Sequence, residues 1–139
     1  MNLMATVRKA VEEVGYAFFS GPDRGLNGGV KSLPAAWLSP VRLVSVEGRS
    51  EGYLRYAVTL RLMKPGRGLS PQQRERLWAQ LEHDAVAVCR RMEYTGPVCA
   101  VERIGCVPDE GSLTTHGELS VTMTCTVAVM FCAADDCKR

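Results

Sequence analysis

The chain has 139 residues, of which 46% are hydrophobic and 23% charged, and its net charge is +2. That length predicts one domain, residues 1 to 139, able to bury enough surface to fold without disulfide or metal staples. So balanced a charge gives no field that would gather nucleic acid. No apolar run is long enough for a membrane span, and Arg8, Lys9, Glu12 and Glu13 interrupt any signal-peptide core, so the chain reads as intracellular when made.

Residues 3 to 19 carry Leu3, Val7, Ala10, Val11, Val14 and Phe18 at helical spacing, which predicts an amphipathic helix. Residues 20 to 36 are rich in Gly and Pro and read as a long flexible loop. Residues 37 to 48, WLSPVRLVSVEG, read as a strand, and Pro40, which lacks a ladder donor, places it at a sheet edge. GRSEG, residues 48 to 52, reads as a hairpin connection. Residues 54 to 63 alternate cleanly: Leu54, Tyr56, Val58, Leu60 and Leu62 on one face, Arg55, Ala57, Thr59, Arg61 and Met63 on the other.

A second helix is signalled from Ser70, an N-cap followed by Pro71 and by Gln73 in capping-box position, and runs to about Met92. Its inner face is Leu77, Trp78, Leu81, Ala85, Val88 and Met92. Residues 98 to 107 predict a further strand, and PDEGSLTTHG a polar loop. The last strand runs from Glu118 to Cys132, with apolar odd positions and a row of threonines among the even ones; at about 3.3 Å per residue it spans nearly 50 Å. The order α-β-β-α-β-β predicts an α+β two-layer sandwich: a mainly antiparallel four-stranded sheet, both helices on its apolar face, and a polar outer face of Arg55, Thr59, Arg61 and the threonines.

Chemistry is sparse. GLNGGVKS, residues 25 to 32, approaches the phosphate-binding pattern G-x-x-x-x-G-K-[ST], but Val30 occupies the second glycine position and resists the positive φ that the cradle requires. His83-Asp84 has no further ligands at metal spacing, and the doublets Asp109-Glu110 and Asp135-Asp136 read as solvated. The six cysteines form no C-x-x-C pair and lie mostly in apolar segments, where a thiol behaves as a small hydrophobe; Cys132 and Cys137 are expected to be the accessible ones. Trp37, at a strand start, reads either as packing or as an interface anchor. No catalytic residue, cofactor or metal is expected. Two alternatives remain open: a monomeric or dimeric peptide- or ligand-binding module, and a small enzyme using a cysteine.

The succession of a first helix, PAAWLSPVRLVSVEG, LRYAVTLRLM, the capped helix SPQQRERLWAQLEHDAVAVCRRM, a strand, and the long terminal ELSVTMTCTVAVMFC resembles the tail terminator or tail completion proteins of long-tailed bacteriophages over nearly the whole chain. The resemblance implies a virion structural protein without catalytic residues, made in the bacterial host cytoplasm. It would form a ring with copies of itself, typically a hexamer, capping the tail tube protein and facing the head connector protein, with neither membrane nor sequence-specific nucleic acid as partner. A ring subunit so built would meet its neighbours through its polar outer face, through sheet edges that can pair and through loops 20 to 36 and 108 to 117 acting as arms, rather than through a large apolar patch. Arg24, Lys31, Trp37, Arg49, Arg55, Arg61 and His116 are the candidate contact residues.

Overall fold

The computed structural model describes residues 3–93 and 95–132. In chain order the elements are α1 (Leu3–Val14), β1 (Ala17–Ser20), a single 3-10 turn (Asp23–Gly25), α2 (Leu26–Gly29), β2 (Ala35–Leu38), β3 (Arg42–Gly48), β4 (Glu51–Pro65), α3 (Pro71–Glu93), β5 (Val98–Pro108) and β6 (Glu118–Cys132). The fold is α+β, with three helices and one mixed sheet of six strands among the described residues.

The first helix is shorter than its apolar spacing predicts. Gly15 adopts φ 109°, its amide donates to the Glu12 carbonyl and the Tyr16 amide donates to the Val11 carbonyl. These are the two bonds of a Schellman stop, which turns the chain out of the helix at a residue with no Cβ to clash. Phe18, expected on the helix, therefore lies in β1 and packs half-buried against the core. The second helix starts where its cap predicts: the Gln73 amide donates to Ser70 Oγ at 3.2 Å, and the Ser70 amide donates to Gln73 Oε1 at 2.8 Å.

β4 and β6 form the axis of the sheet. They are antiparallel and paired over 15 residues, from Glu51 opposite Cys132 to Pro65 opposite Glu118. β5 lies beyond β6, so that α3 crosses over between β4 and a strand parallel to it. The expected single strand 37–48 is broken at Ser39-Pro40 into β2 and β3, which lie end to end along the same side of β4. Parallel β1 is added outside β2 only. The sheet thus has six strands rather than four, because a proline divided one strand and a glycine released another from the helix.

The main core lies between one sheet face and the two long helices. Leu3, Val7, Ala10 and Val11 of α1 and Leu81, Ala85, Val88, Cys89 and Met92 of α3 meet Val58, Leu60 and Leu62 of β4 and Val121, Met123, Cys125, Val127 and Val129 of β6. At about 25 cal/mol per Å² of apolar surface, this burial is the principal stabilising term. A second, smaller core occupies part of the opposite face: Leu26, Val30, Ala35, Trp37 and Met63, with Phe19 and Leu33 against them. That face was expected to be polar throughout, with 20–36 as a free loop. Instead the segment folds back over it, because Leu26 and Val30 give an otherwise Gly-rich stretch an apolar side to bury.

Candidate functional site

The candidate contact residues do not form one site. Three of them, Trp37, Lys31 and His116, gather around Val30, where 20–36 meets 108–117, and Arg24 lies on the same segment. Trp37 is 2% exposed, its ring in the second core and its Nε1 donating to Asp23 Oδ1 at 3.3 Å, so it is a packing residue and offers a partner no surface. Gly29 lies against that ring, and a Cβ there would come within 2.6 Å of it. Lys31 Nζ donates to the Gly28 carbonyl of its own loop at 2.7 Å. His116 Nε2 lies 2.9 Å from the Val30 carbonyl; a carbonyl only accepts, so Nε2 carries the proton. Arg24 is exposed on the 3-10 turn.

The two segments expected to be arms are bound to one another. Asn27 Oδ1 accepts from the Thr115 amide at 2.9 Å, and Arg67 donates to the Thr115 and His116 carbonyls at 2.6 and 3.2 Å. Glu118 is 2% exposed, yet its carboxylate accepts from the Leu113 and Thr114 amides and from the Thr114 hydroxyl. A buried carboxylate is tolerable only with such donors, and here they fix the loop. Asp109, expected to be solvated, accepts from the hydroxyls of Ser120 at 2.7 Å and Thr122 at 2.9 Å. Val30 has φ −85°, extended rather than left-handed, and the segment's backbone forms no phosphate cradle.

The His83-Asp84 doublet stays in contact, His83 Nδ1 lying 3.8 Å from Asp84 Oδ1, but its members differ in burial. The His83 side chain is exposed, whereas Asp84 accepts from the Tyr16 hydroxyl and lies 3.4 Å from Lys64 Nζ. Burial, then the bond to Asp84, pushes the Tyr16 phenol well above its usual range and keeps it a donor. The cluster ties the end of α1 to β4 and α3. Inside the core Cys89 donates to Met123 Sδ at 3.9 Å, and the adjacent Cys89, with burial, raises the Cys125 thiol. Burial likewise pushes the half-buried Cys106 thiol up to about 11. Cys99 is exposed; Cys132 ends β6, and Cys137 and the doublet Asp135-Asp136 lie outside the described residues. Among the described residues, no three His, Cys, Asp or Glu side chains are placed to hold a metal, and no helix is long and apolar enough to cross a membrane.

The remaining candidates lie along the sheet. Arg61, opposite Trp37 and Thr122, is half-buried, with Nε lacking a hydrogen-bond partner. Arg55 lies 3.3 Å from Glu47 and 3.7 Å from Glu102, bridging β3, β4 and β5 on the face away from α1 and α3. Pairs as exposed as these contribute at most about 1 kcal/mol. Arg49 is exposed in the turn joining β3 and β4.

That end of the sheet carries the surface feature the sequence reading missed. β3 is exposed almost throughout, with Leu43, Val44 and Val46 each about half accessible, and Tyr53 and Met130 are exposed beside it. The sheet runs on past the helices, and among the described residues its apolar side chains there are left exposed. Alternation alone marks such residues as a buried face; only the helix lengths, too short to cover 15-residue strands, signal the overhang.

No family model matches this chain, and no curated protein matches it in sequence.

Proposed function

We propose that this chain is a structural assembly subunit: copies form a ring, hexameric as in the phage tail terminators it resembles, which closes the head-proximal end of a tail tube and faces the head connector. In this reading α1 and α3 form one layer and the sheet the other, and subunits meet through the overhang of the sheet. The observation that carries the proposal is that overhang, an end of the sheet exposed on both faces, with Leu43 and Val46 on the helix side, Tyr53 and Met130 on the other, and Val44 at the bulge. Apolar residues so grouped mark interaction surfaces. Arg49 and Arg55 border them and supply the polar rim expected of a contact made by a subunit that is also soluble alone. The polar clusters elsewhere are closed on themselves: Asp84, Asp109 and Glu118 each have donors within the chain.

Native mass spectrometry of the chain with a tail tube protein tests the proposal. A closed ring of copies bound to the tube is the expected result. A chain that stays monomeric and ignores the tube would instead fit a small binding module.

A further inference from the structure

Among the described residues three strand edges of this sheet are unpaired, and they are not equivalent. β1 is four residues long and runs beside α1, with Ser20 Oγ against Met4 Sδ and Arg8 over the Phe18 ring. β5 is blunted: its register shifts between Val98 and Ala100 and again between Glu102 and Gly105, and Arg103 takes φ 54° within the second irregularity. Bulges and charges of this kind keep natural edges from recruiting other strands. β3 has one bulge, at Val44, and the centre of its edge is Leu43-Val44-Ser45-Val46, with no lysine or proline. Beside β2 the next row of the sheet is filled by β1; beside β3 no strand among the described residues fills it.

The sequence of β3 indicates what fills it. Residues directly opposite one another share a sheet face. Leu43 opposes Tyr56 and Val46 opposes Leu54, so both point to the helix side of the sheet. Arg42 opposes Ala57 and Glu47 opposes Tyr53, so both point to the other side. The strand therefore carries a cation at one end and a carboxylate at the other on one face, with two aliphatic residues on the other face. A parallel copy would set like charges together. An antiparallel copy does the reverse.

We propose that the outer edge of β3 binds a second copy of this chain, β3 against β3 and antiparallel about a two-fold axis, with Arg42 of each copy opposite Glu47 of the other and Leu43 opposite Val46. This register pairs residues 42 to 47 of both strands with every assigned face matched. It also joins the exposed aliphatic residues of the two copies into one row, continued by Leu54 and Tyr56. Glu47 is half exposed while it contacts Arg55, so its carboxylate can serve both cations. The contact is isologous and closes at two copies. It does not rest on the tail reading, and it competes with it for one surface: a two-fold contact at β3 is not the head-to-tail contact of a six-membered ring, so a pair closed through β3 has to open before that end of the sheet joins a ring.

Sedimentation equilibrium of the purified chain alone, over a concentration series, tests it. A monomer–dimer equilibrium is expected, and Arg42→Glu, which sets like charges against each other twice per dimer, weakens it about tenfold. Glu47→Arg does the same, and mixing Arg42→Glu chains with Glu47→Arg chains restores the dimer, because both cross-strand pairs are then again opposite in charge. Val46→Lys, at a site 55% exposed and so without cost to folding by circular dichroism, abolishes it. Three results would each overturn the inference: a chain monomeric at every concentration, a dimer indifferent to Val46→Lys, or variants that weaken association without complementing one another.

Discussion

At the scale of single residues, the polar groups that look like chemistry in the sequence are mostly structural ties. Asp84 is the clearest case. The sequence pairs it with His83, whose exposed ring does lie 3.8 Å from it, but Asp84 also reaches inward to Tyr16 and Lys64. Tyr16→Phe deletes the donor and is expected to cost about 1–3 kcal/mol in chemical denaturation, since a half-buried carboxylate loses a partner. Its pH dependence follows from the raised Tyr16 phenol. Above about pH 10 the unfolded chain releases that proton while the folded chain keeps it, so the folded state binds more protons and stability falls as pH rises. The wild-type advantage over Tyr16→Phe is therefore full below about pH 10 and shrinks above it. A difference between the two proteins that stays constant from pH 8 to 11 would contradict this account of Tyr16.

At the scale of elements, residues 20 to 36 are the instructive segment. Their composition reads as a free arm, yet they fold into a 3-10 turn and one turn of helix packed beneath Trp37. Leu26→Ala is expected to destabilise the domain by about 2–5 kcal/mol, the range for a buried leucine cut back to a methyl group. Gly29→Ala is expected to cost about 1–3 kcal/mol through overpacking, because its Cβ would press on the Trp37 ring and the indole is held by its bond to Asp23. Thermal melting of both variants checks the claim; melts like the parent's would make the segment the loose arm its glycines suggest. The long elements were legible for physical reasons. The strict alternation of residues 54 to 63 and of β6, and the Ser70–Gln73 box, are local signals that tertiary packing had no reason to override. The four-residue strand β1 was not legible, and β2 was legible only as the start of one strand over 37–48, since each is too short for a period to show and each depends on neighbours distant in sequence. The contact residues were legible only as charges: nothing local indicates that His116 would be tied to Val30 or that Trp37 would be covered.

At the scale of the whole molecule, a domain closed over its polar clusters but open along one end of its sheet is suited to assembly. The main core gives a rigid body, and the overhang of β3, β4 and β6 gives that body something to place on a neighbour. The sequence contained the overhang only as a mismatch between strand and helix lengths. The most direct measurement of the central claim is growth of a tail tube, followed by electron microscopy as its subunits polymerise with and without this chain. The account predicts that tubes stop growing and carry a ring at one end when the chain is present, and that Val44→Asp, exposed on the overhang and outside the core, abolishes the arrest while leaving the fold intact by circular dichroism. Tubes that lengthen equally in its presence, with no density added at either end, would contradict it.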